Sequence, residues 1–254
     1  MLDVPDLSEK VAIVTGGGKG IGRAIALGLA QARAKVIIAA RTAGEIEAVA
    51  EEIRSKGGEA LAKITDVTQS DQIQALVDTA RDAYGRIDIL INNAARSFFR
   101  PLMDLREDGF DKIFNTNVKA VFLLSRSCAK IMMGQGGGRI VNITTVGAVR
   151  GGPMMGVYHA SKAALKMLTM CMATEWAPMN VLVNAVGPGM TKTEFSQPIW
   201  AVPEIDQMIV SRIPRGRLAE PKDMVGAVLF LCSQGANFIT GQTIYVDGGT
   251  LANT

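Results

Sequence analysis

Residues 11–30 read VAIVTGGGKGIGRAIALGLA, and this stretch decides the fold of the chain. An apolar, largely β-branched run from Val11 to Thr15 gives way to glycines. Apolar residues then recur at helical spacing at Ile21, Ile25 and Leu29. This order predicts a strand, a tight turn and a helix, which is the pattern of the first βαβ unit in a nucleotide-binding α/β fold.

The turn between this strand and this helix contains Gly16, Gly20 and Gly22. Because glycine lacks a Cβ, the chain can turn sharply there, and a pyrophosphate can lie against the first N–H groups of the helix, whose dipole favours anions. The spacing Gly-x-x-x-Gly-x-Gly differs from the standard Gly-x-Gly-x-x-Gly fingerprint. From this segment alone, an ordinary strand-to-helix turn remains the alternative.

The composition indicates one α/β domain. The chain has 254 residues, of which 48% are hydrophobic, so we predict a single domain over residues 1–254. The net charge of +3 is spread without a long basic run, which argues against nucleic acid as a partner. Residues 1–10 lack the apolar region of a signal peptide, and no apolar run approaches the roughly 18 residues that span a bilayer. We therefore expect a soluble, cytoplasmic protein with no membrane partner, whose three cysteines (Cys128, Cys171 and Cys232) are reduced and buried.

Apolar runs alternate with helical periodicities along the rest of the chain. This alternation predicts a Rossmann-type, doubly wound parallel sheet of about seven strands, with right-handed crossovers and helices on both faces. The predicted strands are 11–15, 35–41, 60–65, 87–91, 139–145, 181–186 and 243–246. The predicted helices are 23–30, 43–56, 70–84 with Ser70 as N-cap, 106–133, 157–177 and 221–232.

Residues 190–217 contain three prolines and lack clear periodicity, which predicts an irregular, mobile segment with a short helix. We predict that residues 190–215, called the lid segment below, cover the substrate. In a parallel sheet of this kind, ligands bind beyond the carboxyl ends of the strands. That rule places the following residues along one rim: 16–22, Arg41, Asp66, Asn93, Thr145 and 187–193.

Tyr158 and Lys162 are spaced i and i+4, so they lie one turn apart on the same face of a predicted helix. A tyrosine that trades protons near neutral pH needs a pKa well below its usual value of about 10, and a neighbouring ammonium group favours the phenolate. Taken alone the pair is a weak signal, because a surface cation beside a packed ring has the same spacing.

The wider pattern is far more specific. Thr15-Gly16-x-x-x-Gly20-Ile21-Gly22, Asn92-Asn93-Ala94-Ala95, Asn117, Thr145, Tyr158-x-x-Ser161-Lys162 and Pro188-Gly189, in this order, resemble the short-chain dehydrogenase/reductase family over essentially the whole chain. The resemblance implies that Tyr158 is the general acid/base and that Lys162 lowers its pKa and holds the nicotinamide ribose. It implies that Asn117, with Asn115 as the nearby alternative, completes a proton relay through water to the lysine.

The chain departs from the family pattern at two positions. The serine of the family lies 13 residues before the tyrosine, and Thr145 occupies that position here. A threonine hydroxyl can still donate to a substrate oxygen, but its methyl group restricts χ1 and crowds the pocket. We expect Thr145 to orient the substrate; the alternative is a strand-end threonine in a protein that binds cofactor without efficient turnover. Ala95, in place of the family's glycine, is a milder departure.

The end of the second predicted strand favours NADP(H), with NAD(H) as the alternative. An acidic residue there would bind the ribose 2′-OH of NAD, whereas basic groups accommodate the 2′-phosphate of NADP. This chain has Ala40 and Arg41 there, with Lys19 in the glycine turn. The resemblance implies that Asp66 and Val67 flank the adenine. It further implies that Asn93 contacts the adenosine through its backbone and that Thr191 contacts the nicotinamide amide. The full set of predicted cofactor-binding residues is Gly16, Gly18, Lys19, Gly20, Ile21, Gly22, Arg41, Thr42, Asp66, Val67, Asn93, Tyr158, Lys162, Pro188, Gly189, Thr191 and Thr193; no metal site is predicted.

We therefore predict an NADP(H)-dependent oxidoreductase that interconverts a ketone and a secondary alcohol. Three alternatives stay open: a gluconate-5-dehydrogenase-like sugar-acid enzyme, a 3-oxoacyl-thioester reductase, and a non-catalytic NADP(H) sensor. Gly136 and Met179 stand where acyl-carrier-protein-dependent relatives have docking arginines, which disfavours the second.

Further surface and pocket features follow from the same pattern. The lip 96–101, with two aromatics and two arginines, suits an anionic substrate with an apolar part, and Met154 and Met155 are candidates to shape its pocket. His159, beside Tyr158, is expected to face a loop or a subunit contact. The predicted partners are a small carbonyl or alcohol substrate and further copies of the chain, as a homotetramer or a dimer.

Overall fold

The computed structural model of the chain describes residues 5–253. Residues 1–4 and 254 lie outside the described residues. The predicted domain spans all of them, and residues 1–4 belong to the stretch that is predicted to lack a signal peptide. Within 5–253 the strands are β1 Val11–Thr15, β2 Lys35–Ala40, β3 Ala60–Ile64, β4 Ile89–Asn92, β5 Gly138–Ile143, β6 Val181–Pro188 and β7 Thr243–Val246. They form one parallel sheet in the order β3-β2-β1-β4-β5-β6-β7, which confirms the predicted fold class.

Helices connect and cover these strands. Their bounds are α1 Gly20–Gln31, α2 Ala43–Ser55, α3 Ser70–Tyr84, α4 Glu107–Phe114, α5 Ala120–Gly134, α6 Gly156–Trp176, α7 Gln197–Trp200, α8 Pro203–Val210 and α9 Val225–Cys232. Short 3₁₀ turns lie at Leu102–Asp104, Val146–Ala148, Ala177–Met179, Glu194–Ser196, Pro221–Met224 and Gln234–Ala236. No helix within residues 5–253 combines the length and apolar character needed to cross a membrane.

The strand β1 shows why the predicted strands are continuous apolar runs. Successive strand residues point to opposite faces, so Val14 packs with α1, α2 and α9 on one face, while Ile13 packs with α3, α5 and α6 on the other. Both side chains are fully buried. A parallel strand covered on both faces therefore favours apolar residues along its length.

The strand order reverses at β1, which lies between β2 and β4. Thr15, the last residue of β1, connects β1 with the end of β4. Its Oγ1 donates to the Ile91 carbonyl at 3.2 Å and accepts the Asn93 N–H at 3.0 Å. A crevice opens past the carboxyl ends of the strands at such a reversal. The predicted rim residues follow those ends.

Several local predictions are wrong. The single helix predicted over 106–133 is divided into α4 and α5 by a π-helical turn at Asn115–Lys119. Gln69, and not Ser70, occupies the N-cap of α3. Cys171 is exposed, while the other two cysteines are buried as expected. The lid segment contains α7 and α8 in place of one short helix.

Candidate active site

One cavity of about 760 Å³ runs along the carboxyl ends of the strands. That volume falls within the range of about 300–1,000 Å³ typical of small-molecule sites. The predicted residues on its wall are Gly16, Gly18, Lys19, Gly20, Ile21, Arg41, Thr42, Asp66, Val67, Asn93, Thr145, Tyr158, Lys162, Pro188, Gly189, Thr191 and Thr193. Gly22 and Asn117 do not line it and lie behind the wall.

The glycine turn fits a dinucleotide pyrophosphate. Gly16 has a φ of 62°, and a Cβ there would lie 2.9 Å from the Asn93 Nδ2. A Cβ on Gly22 would lie 2.2 Å from the Gly16 carbonyl oxygen, so Gly22 allows α1 to pack directly on the turn. Among the described residues, no side chain caps the N-terminus of α1, and its first turn holds no acidic residue. Its first N–H groups are therefore available to an anion.

The ends of β4 and β3 supply polar groups: Asn93 follows β4 directly, and Asp66 lies two residues after β3. The Asn93 Nδ2 donates to the carbonyl oxygens of Thr15 and Gly16, both at 3.0 Å, so this side chain fixes the glycine turn. The Asp66 carboxylate accepts the backbone N–H and the hydroxyl of Thr68 at 2.9 and 2.7 Å. Burial acts to raise the pKa of Asp66, but these hydrogen bonds outweigh it and hold the pKa below its usual value.

The end of β2 carries both signs of charge. Arg41 and Thr42 are exposed at the mouth of the cavity, and Lys19 reaches the same region from the glycine turn. Glu45, in the first turn of α2, was not predicted from the sequence as a residue of this site. Its carboxylate lies 3.4 Å from the Lys19 Nζ and also lines the cavity.

Tyr158 and Lys162 lie side by side on α6 and are both buried. The Lys162 Nζ donates to the Ile143 carbonyl at 2.7 Å and stands 5.8 Å from the centre of the Tyr158 ring. Burial raises the pKa of the Tyr158 hydroxyl and lowers the pKa of the Lys162 ammonium to about 7. Desolvation disfavours the charged forms of both side chains, so a phenolate at Tyr158 requires a positive charge beside it. The role of Lys162 in lowering the pKa of Tyr158 stays a prediction.

Asn117 lies behind this pair, in the π-helical turn, and is fully buried. Its Nδ2 donates to the Ser161 Oγ and to the Arg96 carbonyl, both at 2.9 Å, and its Oδ1 accepts the Arg96 N–H. Ser161 in turn donates to the Tyr158 carbonyl at 2.7 Å. Asn117 thus supports the segment of α6 that carries Tyr158, and π-helical turns of this kind are frequent at functional sites.

Thr145 lies two residues after the end of β5, on the cavity wall. Its hydroxyl accepts the Gly147 N–H at 3.2 Å and donates to the Pro188 carbonyl at 3.4 Å, a long contact that a better acceptor can replace. The adjacent Thr144 is buried and donates to the Val186 carbonyl at 3.0 Å. Thr145 is therefore the more available hydroxyl of the two.

Residues 16–250 match the family model described as enoyl-(acyl carrier protein) reductase. The chain is 39% identical over 248 residues to dehydrogenase/reductase SDR family member 4 of Bos taurus, which covers 97% of this chain and 89% of that protein. It is 38% identical over 253 residues to 2-dehydro-3-deoxy-D-gluconate 5-dehydrogenase of Escherichia coli, over 99% of each chain.

The chain belongs to the short-chain dehydrogenase/reductase (SDR) family. The predicted family is thereby confirmed, and this SDR is an NAD(P)-dependent oxidoreductase. Among solved structures, gluconate 5-dehydrogenase from Burkholderia cenocepacia, in complex with NADP and tartrate, has a TM-score of 0.95 and is 33% identical. The match covers 99% of this SDR and 98% of that chain.

The end of the cavity formed by the loop before α6 and the lid segment, called the far end below, is lined mainly by apolar residues together with two arginines. Phe195 of the lid segment packs against Tyr158 with ring centres 5.8 Å apart, and Met155 lines the wall as predicted. The exposed Arg150 and Arg212 also line this end and were not predicted from the sequence. Their signal is weak in sequence, since isolated arginines in irregular segments are common.

Met154 and most of the predicted lip lie outside the cavity wall. Met154 does not line the cavity; its carbonyl accepts the Arg100 N–H at 2.7 Å. Of the predicted lip 96–101, Arg96 alone reaches the cavity wall. His159 packs against Gly147 in the loop after β5, where a Cβ on that glycine would lie 2.3 Å from the imidazole. His159 thus faces a loop, as expected, and it also lines the cavity, with its ring centre 5.9 Å from that of Tyr158. Within residues 5–253 no group of three or more His, Cys, Asp or Glu side chains is arranged to hold a metal ion.

Proposed function

We propose that this SDR interconverts a ketone and a secondary alcohol with NADP(H), using Tyr158 as the general acid/base. The observation that carries the proposal is one continuous cavity. A glycine turn and the cations Lys19 and Arg41 line its dinucleotide end, and Thr145, Tyr158 and Lys162 line its other end. Solved relatives contain NADP, which supports this cofactor over NAD(H).

NADP(H), when bound, supplies or accepts the hydride. In the reducing direction, the Tyr158 hydroxyl donates its proton to the substrate oxygen, and in the oxidising direction the Tyr158 oxygen accepts the proton of the alcohol. Thr145 donates a hydrogen bond to the same substrate oxygen. Because burial raises the pKa of Tyr158, a positive charge has to offset it, and the Lys162 ammonium beside the ring is placed to do so.

A sugar acid is the second candidate substrate. The cations Arg150 and Arg212 line the far end of the cavity and would pair with a carboxylate. Two relatives carry gluconate-type dehydrogenase names, which supports the same class. The apolar side chains of Phe195 and Met155 favour a substrate with an apolar part instead.

We also propose that the chain forms a single domain, acts in the cytoplasm, and associates as a homotetramer or a dimer. Exposed apolar side chains on α5 and α6, namely Phe122, Met167 and Met170, support an association surface on these helices.

A substrate panel tests the proposed function. Aliphatic and aromatic ketones, secondary alcohols, sugar acids and 3-oxoacyl thioesters would be screened by the absorbance of NADPH, with NADH in parallel. Turnover of a ketone or alcohol with NADPH supports the proposal. Turnover restricted to sugar acids selects the second candidate, and faster turnover with NADH contradicts the cofactor.

Replacing Thr145 with valine is expected to lower kcat/KM by about 10- to 100-fold, the range for losing one hydrogen bond to a reacting oxygen. Valine keeps the β-branched shape and removes the hydroxyl. The matched variant Thr145→Ser keeps the hydroxyl and is expected to retain activity. Titration of NADPH fluorescence should give similar Kd values for both variants. Equal activity of the valine variant and the wild type would contradict the role of Thr145.

Replacing Arg41 with alanine is expected to weaken NADPH binding by about tenfold or more, because a hydrogen bond between charged groups is lost. NADH lacks the 2′-phosphate, so its Kd should be nearly unchanged. Arg41→Lys keeps the charge and should retain most of the NADPH affinity. Calorimetric titration of both dinucleotides checks the result, and parallel losses for NADPH and NADH would show that Arg41 does not bind the 2′-phosphate.

A further inference from the structure

Lys19 joins the glycine turn to the lid segment. Its Nζ lies 2.9 Å from the Glu194 Oε2 and 3.4 Å from the Glu45 Oε1. Glu194 begins the 3₁₀ turn Glu194–Ser196 and is 175 positions away from Lys19 in sequence. The ion pair between Lys19 and Glu194 therefore crosses the cavity mouth from the dinucleotide end to the lid segment.

The lid segment around Glu194 is tightly connected to both ends of the cavity. The Thr193 methyl group would lie 3.3 Å from a Cβ on Gly20, so this part of the lid segment rests on the glycine turn. The next residue after Glu194 is Phe195, which packs on Tyr158. The Trp200 indole N–H donates to the Thr193 carbonyl at 3.0 Å. Glu194 therefore lies between residues of the lid segment that contact both ends of the cavity.

We propose that Glu194 is a specificity-determining residue, which holds Lys19 until the 2′-phosphate of NADP(H) displaces it and thereby loosens the lid segment. This inference rests on the proposed function, because it takes NADP(H) as the cofactor. NAD(H) carries no 2′-phosphate, so the ion pair remains intact when NAD(H) is bound. Glu194 thus makes the state of the lid segment depend on which dinucleotide is present.

Exposure and charge explain why Glu194, and not Glu45, gives up Lys19. A phosphate dianion pairs more strongly with an ammonium group than a carboxylate does, and it repels nearby carboxylates. The Glu194 side chain is 69% exposed, whereas that of Glu45 is 35% exposed and lies in the first turn of α2, where the helix dipole stabilises it. Glu194 can therefore move into water at less cost than Glu45.

Calorimetry with 2′,5′-ADP and 5′-AMP tests the inference, because these probes differ by the 2′-phosphate and lack the nicotinamide. Removing a competing exposed carboxylate with Glu194→Gln is expected to tighten 2′,5′-ADP binding by about two- to fivefold, the range for exposed ion pairs. Binding of 5′-AMP should be unchanged. Glu204→Gln makes the same charge change at an exposed position of the lid segment and should leave both affinities at the wild-type values.

The lid segment carries its own reporter in Trp200. The chain has two tryptophans, so Trp176→Phe leaves Trp200 as the single one. Adding 2′,5′-ADP is expected to increase acrylamide quenching of Trp200 to the level that the E194Q chain shows without ligand. 5′-AMP should leave the quenching unchanged. In the E194Q chain, 2′,5′-ADP should produce no further increase.

Three outcomes overturn the inference. Equal 2′,5′-ADP affinities for E194Q and E204Q would show that Glu194 does not compete for Lys19, while the proposed function would stand if the wild type still prefers 2′,5′-ADP over 5′-AMP. Unchanged Trp200 quenching in the wild type would show that the lid segment does not respond to the phosphate. Failure of every variant to bind 2′,5′-ADP would overturn the inference and the proposed NADP(H) dependence together. The calorimetry does not depend on the Trp176 substitution.

Discussion

Tyr158→Phe is expected to lower kcat by about 10²- to 10⁴-fold, the range for removing a general acid/base, while the dinucleotide still binds. The phenylalanine ring keeps the buried packing of Tyr158 against Phe195 and beside Lys162, and only the hydroxyl is lost. Steady-state kinetics on the best substrate of the panel, with NADPH Kd values from fluorescence titration, measures both effects. We expect the Kd to rise by no more than about tenfold, since one neutral hydrogen bond is worth about 0.5–1.5 kcal/mol.

Tyr245→Phe is the matched control for this substitution. Among residues 5–253, Tyr245 carries a buried hydroxyl with no hydrogen-bond partner, and it does not line the cavity. Its loss should therefore leave kcat unchanged. A Tyr158→Phe enzyme with wild-type kcat would remove Tyr158 from the mechanism. A wild-type chain that binds NADPH but transfers no hydride across the whole panel would favour the sensor alternative, which the Thr145 departure first suggested.

The sheet and its rim could be predicted because both follow from local rules. Strands buried on both faces, such as β1 and β2, must be continuous apolar runs, so their positions are visible in sequence. Because the strands are parallel, Gly16, Arg41 and Thr145, which follow strand ends, come to one edge of the sheet. This placement can be predicted without knowing any distant contact. Strand ends are less certain, and β4 begins two residues later than predicted, at Ile89.

The features that were missed depend on contacts that local patterns do not encode. The π-helical turn at Asn115–Lys119 adds one residue to a helical turn while the apolar residues on both sides continue, so sequence periodicity reads through it. The ion pair of Lys19 with Glu194 depends on the path of the irregular lid segment. The pKa of Lys162 depends on burial, since its side chain is fully enclosed although its neighbour in sequence, Ala163, is exposed.

Lys162→Met is expected to change how the free energy of unfolding depends on pH. Burial lowers the pKa of Lys162 from 10.5 to about 7 in the folded chain. Between these two values the unfolded chain binds more protons at this site than the folded chain, so the site makes stability rise with pH; below about pH 7 the whole penalty is present. The wild type should therefore gain stability relative to K162M between about pH 7 and pH 9.5, by up to roughly 1.4 kcal/mol per pH unit.

Urea unfolding at several pH values, at one protein concentration so that association contributes equally, measures this difference. Tyr158 contributes little to the difference in this range, because burial raises its pKa in the folded chain, only a minor fraction ionises in the unfolded chain, and both proteins contain this tyrosine. Lys130→Met is the matched control: Lys130 is exposed on α5, so its surroundings change little on unfolding. The free energy of unfolding of the Lys130→Met chain should depend on pH as that of the wild type does. If K162M also follows the wild type, Lys162 keeps its charge in the folded enzyme, and the ammonium beside Tyr158 is present without help from the bound dinucleotide.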